Sequence, residues 1–78
     1  MPTKELRQWL LHFVEKITFG NEDEYGEDNF EIPLDKIFSE FKSPKEKIME
    51  AIAELQEEGY VISYNNDIAI FDSVKLFE

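Results

Sequence analysis

Leu6, Trp9, Leu10, Phe13, Val14 and Ile17 recur at i, i+3, i+4 and i+7, the spacing of one face of an α-helix. That spacing predicts a helix over 4–18, with Thr3 placed to cap its start and Gly20-Asn21 to stop it. Residues 21–29, NEDEYGEDN, break the pattern, since five of the nine are acidic and only Tyr25 is large and apolar. No face of such a segment can be buried, and an acidic, mobile loop is expected there.

FEIP then alternates apolar and polar and ends in Pro33, which suits a short edge strand over 30–32 because proline cannot donate to a ladder. Leu34, Ile37, Phe38 and Phe41 mark a second amphipathic helix over 34–41, closed by Lys42-Ser43. SPKE opens a third helix over 44–58, with Ser43 as N-cap, Pro44 in the first turn and Glu46 completing a capping box. Its buried stripe is Ile48, Ile52 and Leu55, flanked by Met49 and Ala51, and Gly59 stands where a left-handed C-cap residue belongs. Tyr60, Ile62 and Tyr64 fall on one side of a strand, and Ile68 with Ile70 can match them across Asn65-Asn66-Asp67, residue types that tolerate positive φ. A hairpin over 60–64 and 68–72 follows, with an apolar tail at 73–78.

The order is helix, strand, helix, tight turn, helix, hairpin, so the chain reads as one α+β domain spanning 1–78. Two helices joined by a brief turn make a helix-turn-helix, and the hairpin supplies a wing. With the phrase IxxAIxxLxxxGYV from Ile48 to Val61, residues 6–71 resemble a winged-helix domain. The layout is also similar to the small C-terminal winged-helix domain of minichromosome-maintenance replicative helicases. It departs from that family in the wing, SYNNDIAIF, and in the tail, KLFE, which lacks a basic end. The resemblance implies a regulatory or docking role beside replication or transcription machinery, without helicase chemistry.

Composition supports a folded domain, because 42% of the 78 residues are hydrophobic and 14% aromatic. There is no cysteine, so neither a disulfide nor a thiolate metal site can hold the fold, and burial alone must do so. No apolar run is long enough to cross a bilayer, and a soluble, cytoplasmic chain is expected. Eighteen acidic against eight basic residues give a net charge of -10, which disfavours anionic membranes and nonspecific nucleic-acid binding.

Charge changes the meaning of the helix-turn-helix. The solvent face expected on the third helix is Glu46, Lys47, Glu50, Glu54, Glu57 and Glu58. In a DNA-reading domain this face would meet phosphates and base edges that call for Arg, Lys, Asn or Gln. A partner-binding surface of Glu50, Glu54 and Glu57, with Leu11, Leu76 and Phe77 as its apolar centre, is therefore expected to meet a basic protein. The alternative is a small DNA-binding transcriptional regulator that uses Lys42, Lys45 and Lys47 at the positive end of the helix dipole, with homodimerisation through the first helix or the tail. A further alternative is an acidic DNA mimic of viral origin. No catalytic site or cofactor is expected: His12 is alone, Ser39, Ser43, Ser63 and Ser73 lack a nucleophile context, and the acidic loop lacks calcium-loop spacing.

Overall fold

A computed structural model describes residues 3–26 and 28–78, with side chains described from Glu5 onward. The expected cap from the Thr3 side chain and the acidic position Glu27 lie outside the described residues. Among the described residues the order is α1 (Thr3–Thr18), α2 (Glu22–Tyr25), β1 (Asn29–Pro33), α3 (Leu34–Glu40), α4 (Lys45–Glu57), β2 (Val61–Tyr64), β3 (Ile68–Asp72) and α5 (Ser73–Leu76). The three strands form one antiparallel sheet in the order β1-β3-β2. The fold is thus α+β, with the last strand made lying at the centre of the sheet.

α1 buries Leu6, Leu10, Val14 and Thr18, a strict i, i+4 row. Thr18 is tolerated in this row because its hydroxyl donates to the Val14 carbonyl at 2.7 Å. The row excludes Trp9, which the sequence pattern placed on the buried face and which is instead 56% exposed. At 100° per residue Trp9 sits a quarter turn or more from the centre of the 6-10-14 row, whereas Phe13 and Ile17 lie close enough to pack against the core.

The acidic segment is not wholly irregular. Asn21 ends α1 by donating its side-chain amide to the Ile17 carbonyl, and residues 22–25 then make a single helical turn that buries Tyr25. The turn ends at Gly26, with φ 112° and ψ 160°, a region open to glycine alone. A Cβ at Gly26 would lie 2.5 Å from the Asn29 carbonyl oxygen. Gly26→Ala is therefore expected to cost about 1–3 kcal/mol in backbone strain before the clash is relieved, read as a lower midpoint in urea unfolding. An unchanged midpoint would show that the turn into β1 can be rebuilt cheaply.

Pro33 ends β1 at the sheet edge, as its missing N–H requires. α3 buries Leu34 and Ile37, and Phe41 beyond its end meets Phe13 of α1 edge-on at 5.7 Å. α4 begins one residue later than SPKE suggests. Pro44, extended at φ -58° and ψ 145°, is the boundary residue, and no side chain caps it. Its carbonyl accepts from Ile48 N at 3.2 Å, so Pro44 takes the place expected for Ser43 and no capping box forms. The far end is as expected. Gly59 adopts φ 94°, its N–H donates to Gln56, and Tyr60 N–H donates to Leu55 at 2.9 Å, the paired bonds of a Schellman motif.

The hairpin forms, but in the opposite phase. Val61, Ala69 and Phe71 are buried, while Ile62 is 47% exposed. Pairing with β1 sets the phase of β3, since Phe71 lies opposite Phe30 and Ala69 opposite Ile32 in an unbroken register; a bulge between Val61 and Ser63 then lets Val61 and Tyr64 share that inner face, opposite Phe71 and Ala69. Ile68 and Ile70, opposite Pro33 and Glu31, point to the other face. The turn is built without positive φ. Asn65 Oδ1 accepts from Asp67 N at 2.7 Å and Ile68 N at 2.9 Å, an Asx-type closure. Asp67 O also accepts from Leu34 N at 2.8 Å, which ties the hairpin tip to the start of α3.

The tail folds. Asp72 caps a last helical turn, its carboxylate accepting from Val74 N and Lys75 N, and Leu76 is buried.

Candidate functional site

α4 presents its charged side to solvent because its apolar side, Ile48, Ala51, Ile52 and Leu55, is consumed by the core. Glu46, Glu50, Glu57 and Glu58 are exposed. Glu54, expected among them, is half-buried, and its Oε2 is enclosed without a hydrogen-bond partner. Glu58 receives a hydrogen bond from Arg7 of α1, so it serves helix packing. The outward acidic surface is therefore Glu46, Glu50 and Glu57, with Glu54 turned inward.

The lysines at the start of α4 are exposed, and two of them have local partners. Lys47 Nζ lies 3.8 Å from Glu50, and Lys45 Nζ sits over the Phe38 ring at 5.1 Å from its centre. At least these two cations are already offset by the chain itself. The hairpin tip adds no cation, and its tie to Leu34 gives it little freedom to reach outward.

Leu11, Leu76 and Phe77 do not form one contact surface. Leu11 and Leu76 line one shallow groove with Tyr60, but Leu76 is buried and Leu11 is half-buried against the core. Tail packing accounts for both. Phe77 is different: it is 47% exposed while its ring meets Phe30 edge-on at 6.0 Å.

Phe77 is among the contact residues expected from the sequence, but Trp9 and Phe19 are not. On α1, opposite its buried row, Trp9 meets His12 edge-on at 6.3 Å, and Phe19, just past the helix end, is 77% exposed. One shallow groove is bounded by Glu5, Gln8, Trp9 and His12, and a second by His12, Glu15, Lys16, Phe19 and Phe77. They meet at His12. The helical period hides both aromatics, because Trp9 falls on the apolar spacing of α1 and Phe19 lies beyond the helix that spacing predicts.

The short α2 is held from the side of α3. Lys36 Nζ donates to the Tyr25 hydroxyl at 2.7 Å and lies 3.9 Å from Glu24. The bond to Tyr25 is the largest cause of a Lys36 pKa above the ordinary lysine value, and Glu24 adds to it. This arrangement is structural and leaves Glu22, Asp23 and Asp28 in solvent. Among the described residues no cluster of His, Asp or Glu is placed to hold a metal, and no helix is long and apolar enough to cross a membrane.

What fold and surface define is a small α+β domain with an acidic helix face and a separate aromatic strip. Comparison with known protein families, curated proteins and solved structures finds no match to the chain.

Proposed function

We propose that this chain is a winged-helix-type module that acts by protein contact, recognising a basic partner beside replication or transcription machinery. The element order supports the winged-helix reading, with α3 and α4 as the helix-turn-helix and β2-β3 as the wing. The association with DNA-processing machinery rests on the resemblance of layout and sequence phrase described above. One observation carries the choice of protein over DNA: α4 turns Glu46, Glu50 and Glu57 outward, more acid than Lys45 and Lys47 on the same helix offset, with Lys47 already 3.8 Å from Glu50. A helix so charged repels phosphate and attracts a surface rich in lysine and arginine.

The test is a titration of random-sequence duplex DNA at low and physiological salt, with Lys45→Glu, Lys47→Glu alongside. No saturable binding is expected at either salt. Binding that falls steeply with salt and vanishes in the variant would make the start of α4 a DNA site and overturn the proposal. In parallel, a Glu50→Lys, Glu57→Lys variant is expected to bind a lysine- and arginine-rich protein panel at least tenfold more weakly, about 1.4 kcal/mol or more. Glu54 is left intact because reversal of a half-buried carboxylate would confuse folding with binding.

A further inference from the structure

We propose that the outward face of α1 is a docking groove for a basic amphipathic helix of a partner protein. The inference rests on reading the chain as a protein-contact module, and it adds a second contact surface distinct from α4. Trp9, Phe19 and Phe77 are large aromatics 56%, 77% and 47% exposed, and the two grooves that hold them meet at His12. Aromatic side chains of this kind are the usual energetic anchors of interfaces.

Geometry selects a helix as the occupant. The groove residues Glu5, Gln8, Trp9, His12, Lys16 and Phe19 stand in rows three and four apart along α1, which is the ridge pattern that a second helix packs into. α1 offers no strand edge to extend, since its backbone hydrogen bonds are satisfied within the helix. From Trp9 to Phe19 the strip rises about 15 Å, the length of roughly three turns of a partner helix with anchors at i, i+3 or i+4, and i+7.

Charge selects a basic occupant. Glu5 and Glu15 border the grooves with Lys16 as the basic exception, on a chain whose net charge is -10. A second copy would bring the same negative charge to the contact. A helix with an apolar stripe flanked by lysine or arginine places its stripe on the aromatics and its cations against the acidic border and the field of the whole domain.

Trp9 is the single tryptophan of the chain, so its emission reports this groove directly. The full chain is titrated with a tryptophan-free leucine-lysine peptide about 18 residues long, patterned as an amphipathic helix. The same composition in scrambled order and a leucine-glutamate counterpart serve as controls. Expected are a blue shift of Trp9 emission, reduced iodide quenching, and affinity at least tenfold above both controls. Phe19→Ser removes a side chain that is 77% exposed and is expected to weaken binding at least tenfold with an unchanged thermal midpoint. Amide shifts in the unaltered chain should map to residues 5–19, an arm that needs no variant.

Equal affinity for the scrambled peptide would reduce the effect to charge condensation and overturn the proposal. So would shifts confined to residues 45–58, and in that case the α4 reading would stand. A Trp9 blue shift that depends on chain concentration alone would overturn it in favour of a second copy. Peptide binding lost in Phe19→Ser but kept in Glu50→Lys, Glu57→Lys would uphold the groove; an unchanged affinity of that double variant for the basic protein panel would count against the α4 reading alone.

Discussion

Phe71→Ala is expected to destabilise the domain by about 3–5 kcal/mol, whereas Ile70→Ala, one position earlier on the same strand, should cost roughly 1 kcal/mol or less. Phe71 is wholly buried on β3, opposite Phe30 on one side and Val61 on the other. Ile70 faces the other way, opposite Glu31 and Ser63, and is only half-buried. A chain of 78 residues has on the order of 4–12 kcal/mol of stability to lose. The Phe71 variant should therefore lose much or all of its cooperative urea transition. The reverse ranking would mean that β3 packs with Ile68 and Ile70 on the core and Phe71 outside.

Ile52→Ala carries the next largest effect, about 2–5 kcal/mol. Ile52 is fully buried on α4 between Ile48 and Leu55, and it keeps the helix face on the core that leaves Glu50 and Glu57 outside. Glu57→Ala, on the exposed side, is expected to stay within about 0.5 kcal/mol. Near-neutral loss at Ile52 would place the wrong side of α4 in the core, and the acidic surface would have to be redrawn with it.

The two long helices were legible because two independent signals agree in each, an apolar period near 3.6 and a stop residue with a mechanism. At Gly59 the stop was right in detail, since the Schellman bonds need the left-handed residue that the sequence supplies. The hairpin phase was not legible because apolar residues occupy both phases, Val61 beside Ile62 and Ala69 beside Ile70. Size favoured the isoleucines, but the register with β1 puts the small alanine opposite buried Ile32, and nothing local to the hairpin marks that pairing. α2 escaped notice because one aromatic in an acidic run cannot define a face. Tyr25 is buried by what arrives from elsewhere, and its hydroxyl is met by Lys36 of α3.

At the candidate site, the acidic character of α4 was readable by helical period, but Glu54 and Glu58 were not separable from Glu50 and Glu57. Glu58 is set apart by Arg7 on another helix, and Glu54 by its half-burial, neither of which the helical period records. Trp9 was assigned to the core on spacing alone, and the burial of Thr18, which completes the row of four, is what shows that assignment to be wrong. The aromatic strip is thus the surface that sequence period concealed and packing revealed.

The order β1-β3-β2 also has a kinetic consequence. During synthesis, β1 emerges long before the strand it pairs with, since Asn29 and Asp72 are about forty residues apart. Phe30 and Ile32 have no sheet to enter until residues 68–72 exist, and β2 likewise reaches the sheet only through β3. The pairing of β1 with β3 is therefore the long-range step of the fold, whereas β2 and β3 meet locally through their short turn. An interruption of synthesis before Ile68 would release a chain with helices but no sheet, its apolar strand face open to misassociation.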